Sequence, residues 1–229
     1  MHDTPSKGFL VEACVENLDQ ALIAEKKNAN RIELCGRLDL GGITPPREMI
    51  ISVLNQLRIP LKVMIRPRGG NFTYSESEIE SMKSEILFCK DNGIREIVLG
   101  ALTKKGELDM ATISSLLSMA DPMEVTFHKA IDEVNDFMAS LGQLASLNSI
   151  KSVLTSGAGV SALLGKSLIK KAIKEALDED VYVSGKKLDK LTLISNVKKK
   201  FPKVNSDNVI SVIKELEKHM FSHPKDLEF

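Results

Sequence analysis

Short runs of β-branched and apolar residues alternate along this chain with longer stretches whose apolar positions recur every three to four residues. The runs at 9–15, 31–35, 61–66, 96–99, 124–128 and 152–155 have strand length. Each is followed by a helical pattern, at 18–28, 46–57, 76–92, 110–119, 134–147 and 160–176. Strands separated by helices predict parallel βαβ units with right-handed crossovers. Local signals keep the same phase. Asn17 is placed to cap the helix that begins at Leu18, with Ala21 and Leu22 on its apolar face. Ser75 and Glu78 are spaced as a capping box, and Gly93 follows Asn92 as a stop.

Six such units leave room for two more, so the expected fold is α/β: a TIM-type (β/α)8 barrel, irregular or incompletely closed in its last two units. An open doubly wound sheet competes, but no Gly-x-Gly-x-x-Gly follows the first strand, where a dinucleotide site would need it. Val181-Tyr182-Val183 reads as a seventh strand, 184–201 as a lysine-rich helix with Leu191, Ile194 and Val197 on one face, and 204–212 as either. The domain reading is a tail at 1–8, one barrel domain over 9–215 and a second tail at 216–229.

Composition narrows the partners. The 31 basic and 31 acidic side chains cancel, so no global field steers nucleic acid. The lysines between 186 and 203 lack interleaved aromatic residues and read as a solvated surface. No apolar run reaches the roughly 20 residues of a membrane span. Residues 1–7 are polar and carry no secretion-type apolar region, so a cytoplasmic location is expected. Three cysteines do not make a disulfide framework, and in a reducing compartment they are free thiols or metal ligands. Cys89, on an apolar helical stretch, is expected to pack as a small hydrophobe.

The ends of the runs carry the chemistry. Glu12-Ala13-Cys14 and Glu33-Leu34-Cys35 each place a glutamate two residues before a cysteine, hence on the same strand face. The third run ends Ile65-Arg66-Pro67-Arg68-Gly69-Gly70, a stiff loop able to present Arg68; the fifth ends Phe127-His128-Lys129. In α/β barrels this C-terminal rim is where ligands and catalysts gather. Cys14 and Cys35 admit three readings: soft ligands for Cu(I), a catalytic thiol assisted by His128, or two small packed residues. Arg66 either orients an anion, carboxylate or phosphate, or neutralises Glu12 or Glu33. Thr155 and Ser156, at the turn Thr155-Ser156-Gly157-Ala158-Gly159, offer donors to an anion or simply cap the next helix. A small anionic substrate would make Glu12, Arg66, Arg68, Thr155 and Ser156 its binding groups. His128, Glu33 and Arg66 would then be the catalytic set.

The chain resembles the copper homeostasis protein CutC family in ordered blocks: Val11-Glu12-Ala13-Cys14-Val15-Glu16, Asn30-Arg31-Ile32-Glu33-Leu34-Cys35, Gly41-Gly42-Ile43-Thr44-Pro45, Val63-Met64-Ile65-Arg66-Pro67-Arg68-Gly69-Gly70, Gly100-Ala101-Leu102-Thr103, Thr126-Phe127-His128-Lys129-Ala130 and Leu154-Thr155-Ser156-Gly157. The resemblance implies a TIM-type barrel, a cytoplasmic location, homodimers or higher homo-oligomers, and a role in Cu(I) trafficking or tolerance. It also implies copper on Cys14 and Cys35, with Glu12, Glu33, Arg66, Arg68 and His128 as a shared polar pocket. The chain departs from the family at Ser184-Gly185-Lys186-Lys187-Leu188, where a glycine-rich turn is expected, and from Phe201 onward.

Overall fold

Strand formation follows from alternation: residues one apart along each run face opposite sides of the sheet, and here both sides are covered. The computed structural model describes residues 10–178 and 192–194. Seven parallel strands run in sequence order: β1 (Glu12–Val15), β2 (Arg31–Leu34), β3 (Leu61–Met64), β4 (Glu96–Leu99), β5 (Glu124–Phe127), β6 (Ile150–Leu154) and β7 (Thr192–Ile194). Six helices alternate with them: α1 (Leu18–Lys26), α2 (Arg47–Leu54), α3 (Glu76–Asp91), α4 (Met110–Ala120), α5 (Phe137–Ala145) and α6 (Lys166–Asp178). The curled sheet is an incomplete (β/α)8 barrel.

Between the sheet and its helices lies the main core. Ile32, Leu34, Val63, Ile65, Ile97, Leu99, Phe127 and Val153 belong to it, together with Ile50, Met82, Ile86, Ile113 and Leu144 from the helices. Cys89 is buried there, its thiol pushed up to about 12 by burial. On the concave face the alternate residues meet instead, and a small separate cluster of Cys35, Met64 and Val98 packs with Cys14 and Leu38.

The helix caps form as the sequence requires. Asn17 accepts from the Gln20 amide, and Ser75 and Glu78 make the reciprocal capping box. Two short 3-10 turns, Leu38–Leu40 and Lys129–Glu133, were not expected from periodicity. The last helix begins at Lys166 rather than 160, because residues 156–165 form the turn that approaches the strand end.

One expectation is corrected. Within the stretch read as helical, Thr192–Ile194 is a strand paired with β6, Ser152 opposite Thr192 and Leu154 opposite Ile194. A β-branched Thr-Leu-Ile run beside an open strand edge gains a hydrogen-bonded ladder that outweighs its weak helical periodicity. Val181-Tyr182-Val183 and 204–212 lie outside the described residues.

Candidate metal centre

The concave face is polar in its lower part. The Glu12 side chain, two per cent exposed, pairs with Arg31 from the adjacent strand and with Lys62 Nζ at 3.1 Å; Arg31 Nη1 also donates to Glu96 Oε2 at 2.6 Å. Lys62, fully buried, donates to Thr126 Oγ1 at 2.6 Å, and Thr126 shares a 2.7 Å hydroxyl contact with Ser152. Sequence reasoning missed Lys62, Arg31, Glu96, Thr126 and Ser152, although all occupy inward positions of the period-two pattern. One of its two readings of Arg66, beside that of orienting an anion, was that it neutralises Glu12 or Glu33. The structure corrects this: Arg31, the register partner of Glu12 on β2, and Lys62, reaching across from β3, balance Glu12, while Arg66 sits beyond the strand end.

Directly above this ionic layer three ligating groups meet. Cys14 and Glu33 are opposite one another in the register of β1 and β2. Cys35, two residues beyond Glu33, points the same way, which brings Cys14 Sγ to 3.5 Å from Cys35 Sγ. Glu33 Oε1 lies 3.5 Å from the first sulfur and 3.4 Å from the second. All three ligand atoms fall within 4.8 Å of one another, the size of a metal-ion site. Glu33 and Cys35 are buried, whereas Cys14 is partly exposed. Gly42, at φ 86°, closes over Cys35: a Cβ there would lie 3.2 Å from its sulfur.

The electrostatics follow from this packing. Burial, then the negative charge of Glu12, raises the Glu33 carboxyl to about 7, with Lys62 opposing. The Cys35 thiol is held well above its ordinary value, first by its contact with Cys14 and then by burial. The His128-assisted catalytic thiol of the sequence reading finds no contact: no hydrogen bond joins His128 to either cysteine among the described residues. His128 instead accepts the Ala130 amide on Nδ1 at 3.2 Å and lies between the rings of Phe72 and Phe127. Burial, then the charge of Arg66, lowers its pKa to about 3.

The remaining sequence-selected residues organise loops. Arg66 donates to the carbonyls of Gly42 at 3.0 Å and Gly70 at 2.6 Å and stacks on Phe72. Arg68 donates to Glu78, to the carbonyls of Gly69, Asn71 and Thr73, and to the Asn71 side chain. At the turn after β6 an internal carboxylate takes the place an external anion would use. Asp132 accepts from Thr155 Oγ1, from the Ser156 amide at 2.8 Å and from the Ala158 amide at 2.9 Å. The signal for Asp132 was weak in the sequence, since it sits in a 3-10 turn with no periodic pattern.

A parallel α/β barrel carrying a dithiol–carboxylate cluster at the C-terminal ends of its first two strands is the class this fold and site define. The chain belongs to the CutC family, whose model matches residues 9–197. It is 45% identical over 180 residues to the human copper homeostasis protein cutC homolog, covering 79% of this chain and 66% of that protein. The mouse homolog is 45% identical over 178 residues, covering 78% and 65%. The chain thus spans a little under two thirds of the length of these two relatives. A CutC protein structure from Streptococcus agalactiae is 32% identical, with a TM-score of 0.69 over 73% of this chain and 82% of that one. Dihydrodipicolinate synthase from Bacillus anthracis, 10% identical with a TM-score of 0.54 over 96% of this chain and 80% of its own, shows the shared fold alone. No helix among the described residues is long and apolar enough to cross a membrane.

Proposed function

We propose that this protein binds copper as Cu(I) on the thiolates of Cys14 and Cys35, as a cytoplasmic copper homeostasis protein that self-associates. One observation carries the reading: two sulfurs and a carboxylate oxygen converge within 4.8 Å on the concave face of the barrel. Soft thiolates select a cuprous ion, and two sulfurs suffice for its low coordination numbers, whereas a structural zinc site asks for four ligands. Met64, Val98 and Leu38 pack as a small apolar cluster around the sulfurs. Partly exposed Cys14 gives an incoming ion its entry, and buried Cys35 holds it. The human and mouse relatives, named for copper homeostasis, support copper as the cargo.

Anaerobic titration against a coloured cuprous chelator tests this. One equivalent of Cu(I) should transfer to the unsubstituted protein and none to Cys14→Ser/Cys35→Ser; equal transfer to both rejects the site.

A further inference from the structure

A second site lies at the end of β3 and β5, on side chains that the copper reading does not use. Arg66 is only five per cent exposed. Its Nη1 donates to the Leu40 and Gly42 carbonyls and its Nη2 to the Gly70 carbonyl, its face lies 4.5 Å from the Phe72 ring centroid, and its Nε has no partner. No carboxylate among the described residues forms an ion pair with it. A buried guanidinium without a counter-ion is costly, and the strand end could have supplied one.

His128 presents the matching half. Because Nδ1 accepts the Ala130 amide, the neutral ring carries its proton on Nε2, and that atom too is buried without a partner. The ring cannot turn to relieve this. It is held against Gly100, where a Cβ would lie 2.6 Å from Cε1, and against Phe72, whose centroid is 4.7 Å away. Each unmet buried donor costs about 1–3 kcal/mol, so two of them beside one cavity are an unusual expense unless a ligand meets them.

Arg66 and His128 line one cavity of about 20 Å³, with Lys129 completing its polar side and Met64, Phe72 and Leu154 its apolar side. That volume admits a single oxygen-sized group. Every unmet atom on the two side chains is an N–H donor, so the missing group is an acceptor. One unpaired guanidinium beside a neutral imidazole calls for one negative charge. We propose that this cavity binds the carboxylate of a small organic acid, one oxygen seated between Arg66 Nε and His128 Nε2 and the rest of the molecule extending past Lys129. Phosphate, with more oxygens and up to two charges, would leave acceptors unmet here.

The test uses the nitrogen-labelled, metal-free 229-residue chain and reads the His128 imidazole by NMR. Acetate should shift the Nε2–H signal saturably, while chloride and inorganic phosphate at equal ionic strength leave it in place. Calorimetry should show acetate affinity falling about tenfold or more in His128→Phe, which keeps the ring packing and loses the donor. Cys14→Ser/Cys35→Ser should bind acetate as the unsubstituted protein does, which separates this site from the copper reading. A shift common to all three salts, no shift with acetate, or a shift with phosphate alone overturns the proposal. The NMR readout on unsubstituted protein stands even where His128→Phe does not fold.

Discussion

Cys14 and Glu33 are register partners across two parallel strands, and the thiol of the first lies 3.5 Å from a carboxylate oxygen of the second. With Cys35 two residues farther along β2, this pairing sets the whole cluster by strand register alone. A one-residue slip would turn Glu33 and Cys35 to the helix side together.

The clearest energetic consequence concerns Lys62. Lys62→Met removes a buried cation from Glu12 and leaves the carboxylate with Arg31 alone. A loss of about 3 kcal/mol is expected in urea unfolding, because breaking one side of a buried pair strands the other. Lys62→Met/Glu12→Gln should regain much of it. A double variant no more stable than the single one would show that the Lys62 stem, not its charge, matters.

At the strand end, Gly100→Ala should cost about 1–3 kcal/mol through overpacking, since its Cβ would collide with the His128 ring at 2.6–2.7 Å. Combining it with His128→Ala should make the two changes less than additive. Simple additivity would mean that the ring can move aside.

His128 also predicts a pH dependence. The folded ring stays neutral down to about pH 3, against 6.5 for the ordinary imidazole. Below about pH 6.5 the unfolded chain therefore binds a proton that the folded one does not. Stability contributed by His128 is complete above that pH and falls by about 1.4 kcal/mol per unit until roughly pH 3. Between pH 7 and pH 5 the stability difference between unsubstituted protein and His128→Phe should narrow by about 2 kcal/mol in metal-free urea unfolding. An unchanged difference would mean that the folded ring protonates like a free imidazole.

The turn after β6 should depend on Asp132. Asp132→Ala leaves the Ser156 and Ala158 amides and the Thr155 hydroxyl without their acceptor, at a cost of about 2–4 kcal/mol. Amide exchange at Ser156 and Ala158 should quicken far more than in β4. Uniform quickening throughout the chain would assign Asp132 a global role instead.

Much of this architecture was legible because periodicity, caps and turns pointed one way. The first six strands lie where their β-branched runs predicted, and period-two spacing alone placed Glu33 and Cys35 on one face. The same rule could have found Lys62, Thr126 and Ser152, which look unremarkable as single residues within apolar runs. What it could not show was partner choice. Arg66 finds carbonyls rather than carboxylates because a loop returns over it, and Asp132 reaches a turn 23 residues away; both depend on tertiary path, not local pattern. At Thr192–Ile194 pairing with β6 overrode a helical reading for the same reason.

The most direct test of the central claim is X-ray absorption at the copper edge on anaerobic protein loaded with one equivalent of Cu(I). A low-coordinate cuprous ion with two sulfur neighbours is expected, lost when Cys14 and Cys35 are both replaced by serine. Copper bound through nitrogen or oxygen alone, or an unchanged sulfur shell in that double variant, would contradict it.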